Sequence, residues 1–168
     1  FDNYQNTNFV ITSATSDVFN ISNGFVTLKN IHIASSVPRT AGSYFNVTAS
    51  NFKLYGAYTS DAFIGMTLGT GSSIIDVKNW TSGSTVTAGT DLIVNDCLQC
   101  TFDTFFAASG NAAARIQLNA LGDIVFINSS ALGAQENVVI APGTGQAVLS
   151  YNFVSGFFDQ ATATNLSI

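Results

Sequence analysis

The chain has 168 residues, of which 46% are hydrophobic and only 9% charged, and its formal net charge is −5. That length fits one domain with a real core, and the acidic balance argues against nucleic acid or an anionic membrane as partner. No apolar run approaches the ~20 residues of a membrane-spanning helix, so membrane insertion is not expected either.

Serine, threonine, asparagine and glycine do the solvating that charged side chains, about 25% of an ordinary domain, usually do. Val, Ile, Thr, Phe and Tyr are plentiful and helix formers scarce, which points to an all-β chain. The sequence opens at Phe1 without a visible signal peptide, which reads either as an upstream segment removed or as one piece of a longer protein.

Residues 1–17 read as an irregular first coil with a strand at Phe9-Val10-Ile11. From Val18 a phrase begins to return. Val26-Thr27-Leu28-Lys29-Asn30-Ile31 alternates apolar and polar residues, meets an asparagine and resumes. A period of two puts Val26 and Leu28 on one strand face, and asparagine accepts the left-handed conformation of a sharp corner. The phrase recurs at Phe52–Ala57 with Gly56 at the corner and at Ile75–Trp80 with Asn79. It recurs again at Cys100–Phe105 with Thr104, Ile124–Ser129 with Asn128, and Val148–Phe153 with Asn152. Corners at 30, 56, 79, 104, 128 and 152 are 26, 23, 25, 24 and 24 residues apart, and 24 before Asn30 stands Asn6. A fixed period in this range is the mark of a solenoid.

A second strand precedes each corner phrase: Phe19/Ile21, Phe45/Val47, Ile64/Met66, Leu92/Val94, Ile116/Leu118 and Val138/Ile140. Turn-rich links at 22–24, 48–51, 69–73 and 143–145 join the two. The expected fold is all-β, a single-stranded parallel β-helix of about seven turns spaced ~4.8 Å apart. It forms one domain over 1–168, with 159–168 as its terminal coil. After each corner, Ile31, Ala57, Trp80, Phe105, Ser129 and Phe153 should point inward, with Trp80 against Phe105. Asn30, Asn79, Asn128 and Asn152 should stack as partial amide ladders. Loops are expected at 35–43, 82–89 and 107–114. Asp91 to Ser109 also fits an amphipathic helix, but the repeat assigns it to strands; Ala112–Ala114 reads as a helical excursion. An antiparallel β-sandwich or jelly roll is the alternative architecture.

Few residues suggest chemistry. Cleaving a glycan usually takes two carboxylates ~5–9.5 Å apart, and among ten acids only Asp76 and Asp103 suit neighbouring turns. Asp17 and Asp91 share a repeat position three turns apart, and the acids otherwise read as solvated surface groups. His32, the one histidine, should face outward, with no second histidine to build a metal cluster or a catalytic triad. No metal and no cofactor are expected. Cys97 and Cys100 form a lone C-x-x-C, read as buried free thiols ahead of a disulfide. Glycosylation-type triplets begin at Asn20, Asn46, Asn79, Asn128 and Asn165, as composition alone would produce. The Gly-Thr-Gly runs at 69–71 and 143–145 lack the lysine and helix of a phosphate loop and read as turns. Tyr44, Tyr55, Tyr58, Tyr151 and Phe157-Phe158 are candidates for exposure. Aromatic faces among hydroxyls and amides suit sugar stacking, which makes Tyr55, Tyr58, Lys78 and Tyr151 candidate ligand-binding residues. Packing against a neighbouring subunit would account equally well for such aromatics.

Over residues 18–158 the repeated apolar-x-apolar-x-Asn-apolar phrase resembles the pectate-lyase-like right-handed parallel β-helix, in the version found in bacteriophage tailspikes and tail fibres. The resemblance implies a right-handed helix and a homotrimer on the virion tail, outside any cell. It also implies contacts with other virion proteins and binding of host surface polysaccharide, sometimes with cleavage. No catalytic residue carries over. The Asn-Thr-Asp, Asp-Asp, Gly-His-Gly and Arg-Ile-Lys motifs of polygalacturonase-like enzymes are absent, as is the Asp cluster with Arg of calcium-dependent pectate lyases. The function expected is a phage structural and receptor-binding module, with enzymatic activity an open question leaning to no. One alternative is a polysaccharide depolymerase fragment using Asp76 and Asp103, with Lys78 and Tyr55 nearby. Another is a non-viral cell-surface adhesin repeat domain.

Overall fold

The alternation of each phrase becomes the inside and outside of a strand. In Lys53–Ser60, Leu54, Ala57 and Thr59 are buried while Lys53 and Tyr58 are exposed, and the parity changes across Gly56 because the chain turns a corner there. The computed structural model describes residues 7–83, 89–108, 114–119, 122–141, 150–159 and 164–167, with sixteen strands, β1 to β16 in chain order.

One sheet runs β1 (Thr7–Ile11), β3 (Thr27–Ser35), β5 (Lys53–Ser60), β7 (Ile75–Gly83), β9 (Gln99–Ala108), β11 (Asp123–Ile127) and β14 (Ser150–Val154). The other runs β2 (Phe19–Ile21), β4 (Ser43–Val47), β6 (Ile64–Leu68), β8 (Thr90–Val94), β10 (Ala114–Leu118), β13 (Glu136–Ile140) and β16 (Thr164–Ser167). Past the corner after β11, β12 (Ser130–Leu132) pairs with the distal half of β9 and with β15 (Phe157–Asp159). The chain alternates between the sheets, and every pairing of these strands is parallel. This is a parallel β-solenoid. The antiparallel pairs a sandwich needs do not occur among the described residues, nor does a helix. Asp91 to Ala108 folds as β8 and β9, as the repeat indicates. Ala114 opens β10 instead of continuing a helix; Ala112 and Ala113 lie outside the described residues, as do Asn6 and the 143–145 turn.

The corners are left-handed backbone. Asn30, Gly56, Asn79, Thr104 and Asn128 have φ of 54°, 67°, 54°, 57° and 50°. The last corner differs from expectation: it is Ser155 (φ 54°), 27 residues beyond Asn128, and Asn152 sits within β14 opposite Val125. The aromatic core sets that register. Phe126 stacks on Phe102 (centroids 4.9 Å apart, 13° between planes) and on Phe153 (5.0 Å, 5°). Phe153 therefore belongs to the inward row before the corner, and Gly156 takes the place after it. A Cβ at 156 would lie 2.0 Å from the Ser129 carbonyl oxygen, so that place admits only glycine. Five residues ahead of three corners comes a second left-handed position, at Phe25, Asn51 and Ile74 (φ 63°, 58° and 55°).

Corner asparagines do not stack, because Gly56 and Thr104 separate them. Amide pairs form elsewhere: Asn46 Nδ2 donates to Asn20 Oδ1 (3.1 Å), and Asn119 Nδ2 to Asn95 Oδ1 (2.8 Å).

The interior holds the expected stack of Trp80 on Phe105, with centroids 4.5 Å apart and 26° between planes. Trp80 Nε1 donates to Thr59 Oγ1 (3.0 Å), which satisfies the one polar atom of a fully buried indole. Burying a ring of this size is worth about 3–5 kcal/mol against alanine.

Three sequence readings change inside this core. Tyr44 is buried, not exposed: its hydroxyl donates to the Ser60 carbonyl (2.7 Å), and burial pushes its pKa up to about 12. The Arg39 guanidinium lies 5.3 Å from the Tyr44 ring and donates to the carbonyls of Ser13, Ser16 and Ala41, pinning the loop ahead of β4. Asp91 is no solvated acid. Its Oδ2 meets Arg115 Nη1 at 2.7 Å and its Oδ1 accepts from Ser82 (2.6 Å), with all three side chains buried. Cys97 and Cys100 are joined as a disulfide (Cα–Cα 6.1 Å) instead of lying free. The turn before β9 aims both side chains into the interior, at a separation that suits a bond.

Candidate functional site

Each corner divides the outer surface into a face before it and a face after it. On the face before, the residue immediately preceding each corner points outward, and parallel register lines these residues up as Lys29, Tyr55, Lys78, Asp103 and Ile127. Two residues upstream a second row runs Thr27, Lys53, Asp76, Thr101 and Val125. The three lysines of the chain thus all stand on this face, although the whole chain carries a net charge of −5.

Tyr55 is the hub. Lys29 Nζ and Lys78 Nζ lie 5.8 and 5.7 Å from its ring centroid, within cation–π range. Its hydroxyl donates to Asp76 Oδ2 at 2.5 Å, and Lys78 Nζ sits 3.6 Å from the same oxygen. That hydrogen bond pushes the Tyr55 pKa up to about 12, because ionising the phenol would set a second negative charge against the carboxylate. A neutral donor, a carboxylate and two ammonium groups are therefore held within one small area. Asp103 stands opposite Lys78 and receives a hydrogen bond from Thr104 (3.1 Å). Asp76 and Asp103 are diagonal neighbours on adjacent strands, about 7–8 Å apart by sheet geometry. Beside this face an open cleft of about 370 Å³ is lined by Ile74, Asp76, Gln99, Thr101 and Asp123, among others.

On the face after the corner, the outward row reads Asn8, His32, Tyr58, Thr81 and Phe106. His32 Nδ1 is 3.0 Å from Asn8 Oδ1, and the His32 ring meets Tyr58 edge to face (centroids 4.9 Å, 79°). Tyr58 keeps 48% of its surface exposed. Around the corner itself a second open cleft of about 310 Å³ is lined by Ile31, His32, Gly56, Ala57 and Tyr58.

The structure therefore brings Tyr55, Asp76 and Lys78 together, sets Asp103 beside them and places Tyr58 around the corner. Tyr151 pairs with Ile124 through the backbone; its side chain, like those of Phe157 and Phe158, lies outside the described residues. Lys29 and Lys53 join the face before the corner and His32 the face after it, beyond the ligand-binding candidates that the sequence offers. Their signal is the column one or three residues before each corner for the lysines and two residues after it for His32, legible once the phrases are stacked. Among the described residues no group of three or more His, Cys, Asp or Glu side chains could hold a metal ion, and no helix is long and apolar enough to cross a membrane.

No family model, curated protein or solved structure matches this chain.

Proposed function

We propose that this chain is a structural and receptor-binding module of a bacteriophage tailspike or tail fibre, acting as a homotrimer that recognises a polysaccharide on the host surface. The observation that carries the reading is the Lys29–Tyr55–Lys78–Asp76 cluster on one flat solenoid face. Sugar hydroxyls call for mixed donors and acceptors, and acidic sugars for cations, held in fixed geometry. A stacked parallel sheet supplies that rigidity with little side-chain rearrangement on binding. The low charge of the rest of the chain, with hydroxyls and amides in its place, suits a surface that meets hydrated glycan.

The test is light scattering for mass, with the same sample screened on bacterial surface glycans. A trimer that binds a glycan without shortening it is the expected result, and Lys29→Ala with Lys78→Ala should weaken binding at least tenfold. A monomer that ignores every glycan would sink the proposal.

Depolymerase activity is a second reading, favoured only by Asp76 and Asp103 sharing a face at a separation in the range used for glycan hydrolysis. Shortening of a bound glycan that disappears in Asp76→Ala and Asp103→Ala would establish it. Against it, the Asp76 oxygen that meets Lys78 is already committed to Tyr55.

A further inference from the structure

The corner row reads Asn30, Gly56, Asn79, Thr104, Asn128 and Ser155. Gly56 is the one member without a side chain, and the 310 Å³ cleft opens at that place. We infer that the missing side chain at Gly56 creates a subsite for a single pyranose ring of a bound glycan, with Tyr58 and His32 as its walls. The inference rests on the glycan-binding reading above and names the part of the surface that gives it specificity.

The volume is at the lower end of the ~300–1,000 Å³ typical of small-molecule sites, which is room for one sugar ring and little more. Tyr58 supplies an aromatic surface, 48% exposed and held in orientation by its edge contact with His32. The electron-rich face of such a ring attracts the polarised C–H groups on the flat side of a pyranose. Tyr55 does not offer this, because Lys29 and Lys78 flank its ring.

His32 adds an acceptor. His32 Nδ1 lies 3.0 Å from Asn8 Oδ1, an oxygen that only accepts, so in the neutral ring Nδ1–H donates to Asn8 and Nε2 is the acceptor for a sugar hydroxyl. Asn30 stands beside Gly56, its Oδ1 2.9 Å from where a Cβ at 56 would lie, so its half-buried amide can turn toward a ring seated over the glycine. Stacking surface, acceptor and amide are the three elements by which proteins hold a neutral sugar ring. None of them requires a charge.

The glycine also permits a clean test. Asparagine occupies the same corner at 30, 79 and 128 with φ of 50° to 54°, so it tolerates the φ of 67° at 56. Its first contact would be the far end of the Asn30 side chain, which can rotate away. Gly56→Asn should therefore fold normally and fill the cleft.

The experiment titrates the wild-type chain with the methyl glycosides of glucose, galactose, N-acetylglucosamine and glucuronic acid, following His32 and Tyr58 ring resonances by NMR. At least one glycoside should move both sets of resonances. Gly56→Asn, with an unchanged melting temperature, should weaken that response at least tenfold, as should Tyr58→Ala. Shifts that persist undiminished in folded Gly56→Asn overturn the subsite, and so does the absence of any shift. If the intact protein still captures a surface glycan, the subsite alone has failed; if it captures none, the glycan-binding reading falls with it.

Discussion

Arg115 and Asp91 form a fully buried ion pair, Nη1 to Oδ2 at 2.7 Å. Arg115 Nε also donates to the Leu132 carbonyl (2.9 Å), and Ser82 donates to the second Asp91 oxygen. Burial pushes the Asp91 carboxyl above its usual range, while Arg115 and Ser82 pull it back. Removing one member leaves the other charge buried without its partner, which costs about 3–5 kcal/mol. Asp91→Ala and Arg115→Ala should each lose that much in urea unfolding. The double variant Asp91→Leu/Arg115→Met should recover most of it, since no charge is then stranded. A single variant within 1 kcal/mol of wild type would show that water reaches the pair.

Tyr55 ties the outer face to pH. Its folded-state pKa of about 12 exceeds the ordinary value of 10.0, and Tyr44 is raised to about 12 by burial. A phenol raised in the folded state stabilises fully below its unfolded pKa, and the contribution is lost as pH climbs through the folded value. Stability should therefore fall between about pH 10 and 12. Ultraviolet absorbance should show these two phenols ionising late. In Asp76→Asn one of them should return toward 10, and an unchanged titration would mean that the Tyr55–Asp76 bond does not form in solution.

The Cys97–Cys100 disulfide closes a very short loop. Chain-entropy arguments give about 2 kcal/mol for a ring of this size, less than for a long loop. Reduction, or Cys97→Ser with Cys100→Ala, should lower stability by about that amount while far-ultraviolet dichroism stays that of a β-protein. Unfolding on reduction would show a larger role than loop closure.

Phe25 holds a left-handed φ of 63° with 86% of its surface exposed, while Asn51 holds the equivalent place one turn on. A bulky residue pays about 1–2 kcal/mol for that conformation, and Phe25 has almost no packing to offset it. Phe25→Asn should raise stability by about 1 kcal/mol in denaturant melts. Asn79→Ala, at a corner with φ of 54°, should lower it by a similar amount.

The repeat made the solenoid legible because its signals are local. Alternation and a corner residue every twenty-odd positions locate most strands of both sheets, though not β12, β15 or β16, together with five of the six corners and the Trp80–Phe105 stack. The sixth corner was misplaced because Tyr151-Asn152-Phe153 imitates the phrase, while the register depends on Phe153 reaching Phe126 across a turn. The repeat sets Tyr55 and Lys78 near Asp76 and Asp103, but the Tyr55–Asp76 hydrogen bond and the two ammonium groups on the Tyr55 ring appear only in the folded chain. Asp91 reads as a solvated acid and Arg115 gives no signal at all, for a different reason. They are 24 residues apart, and nothing in a local window tells an aspartate that faces inward from one that faces water.

A periodic chain has a particular hazard, since shifting one segment by a whole turn leaves nearly every apolar contact plausible. Leucine, valine and phenylalanine in the inward rows cannot tell the correct neighbour from the next. Asp91, Arg115 and Ser82 can, because this ion pair with its serine occurs once among the described side chains and joins β7, β8 and β10. Any threading that is off by a turn would strand a guanidinium in hydrocarbon. The buried pair thus serves as an index mark, by which a molecule made of near-identical layers counts them correctly.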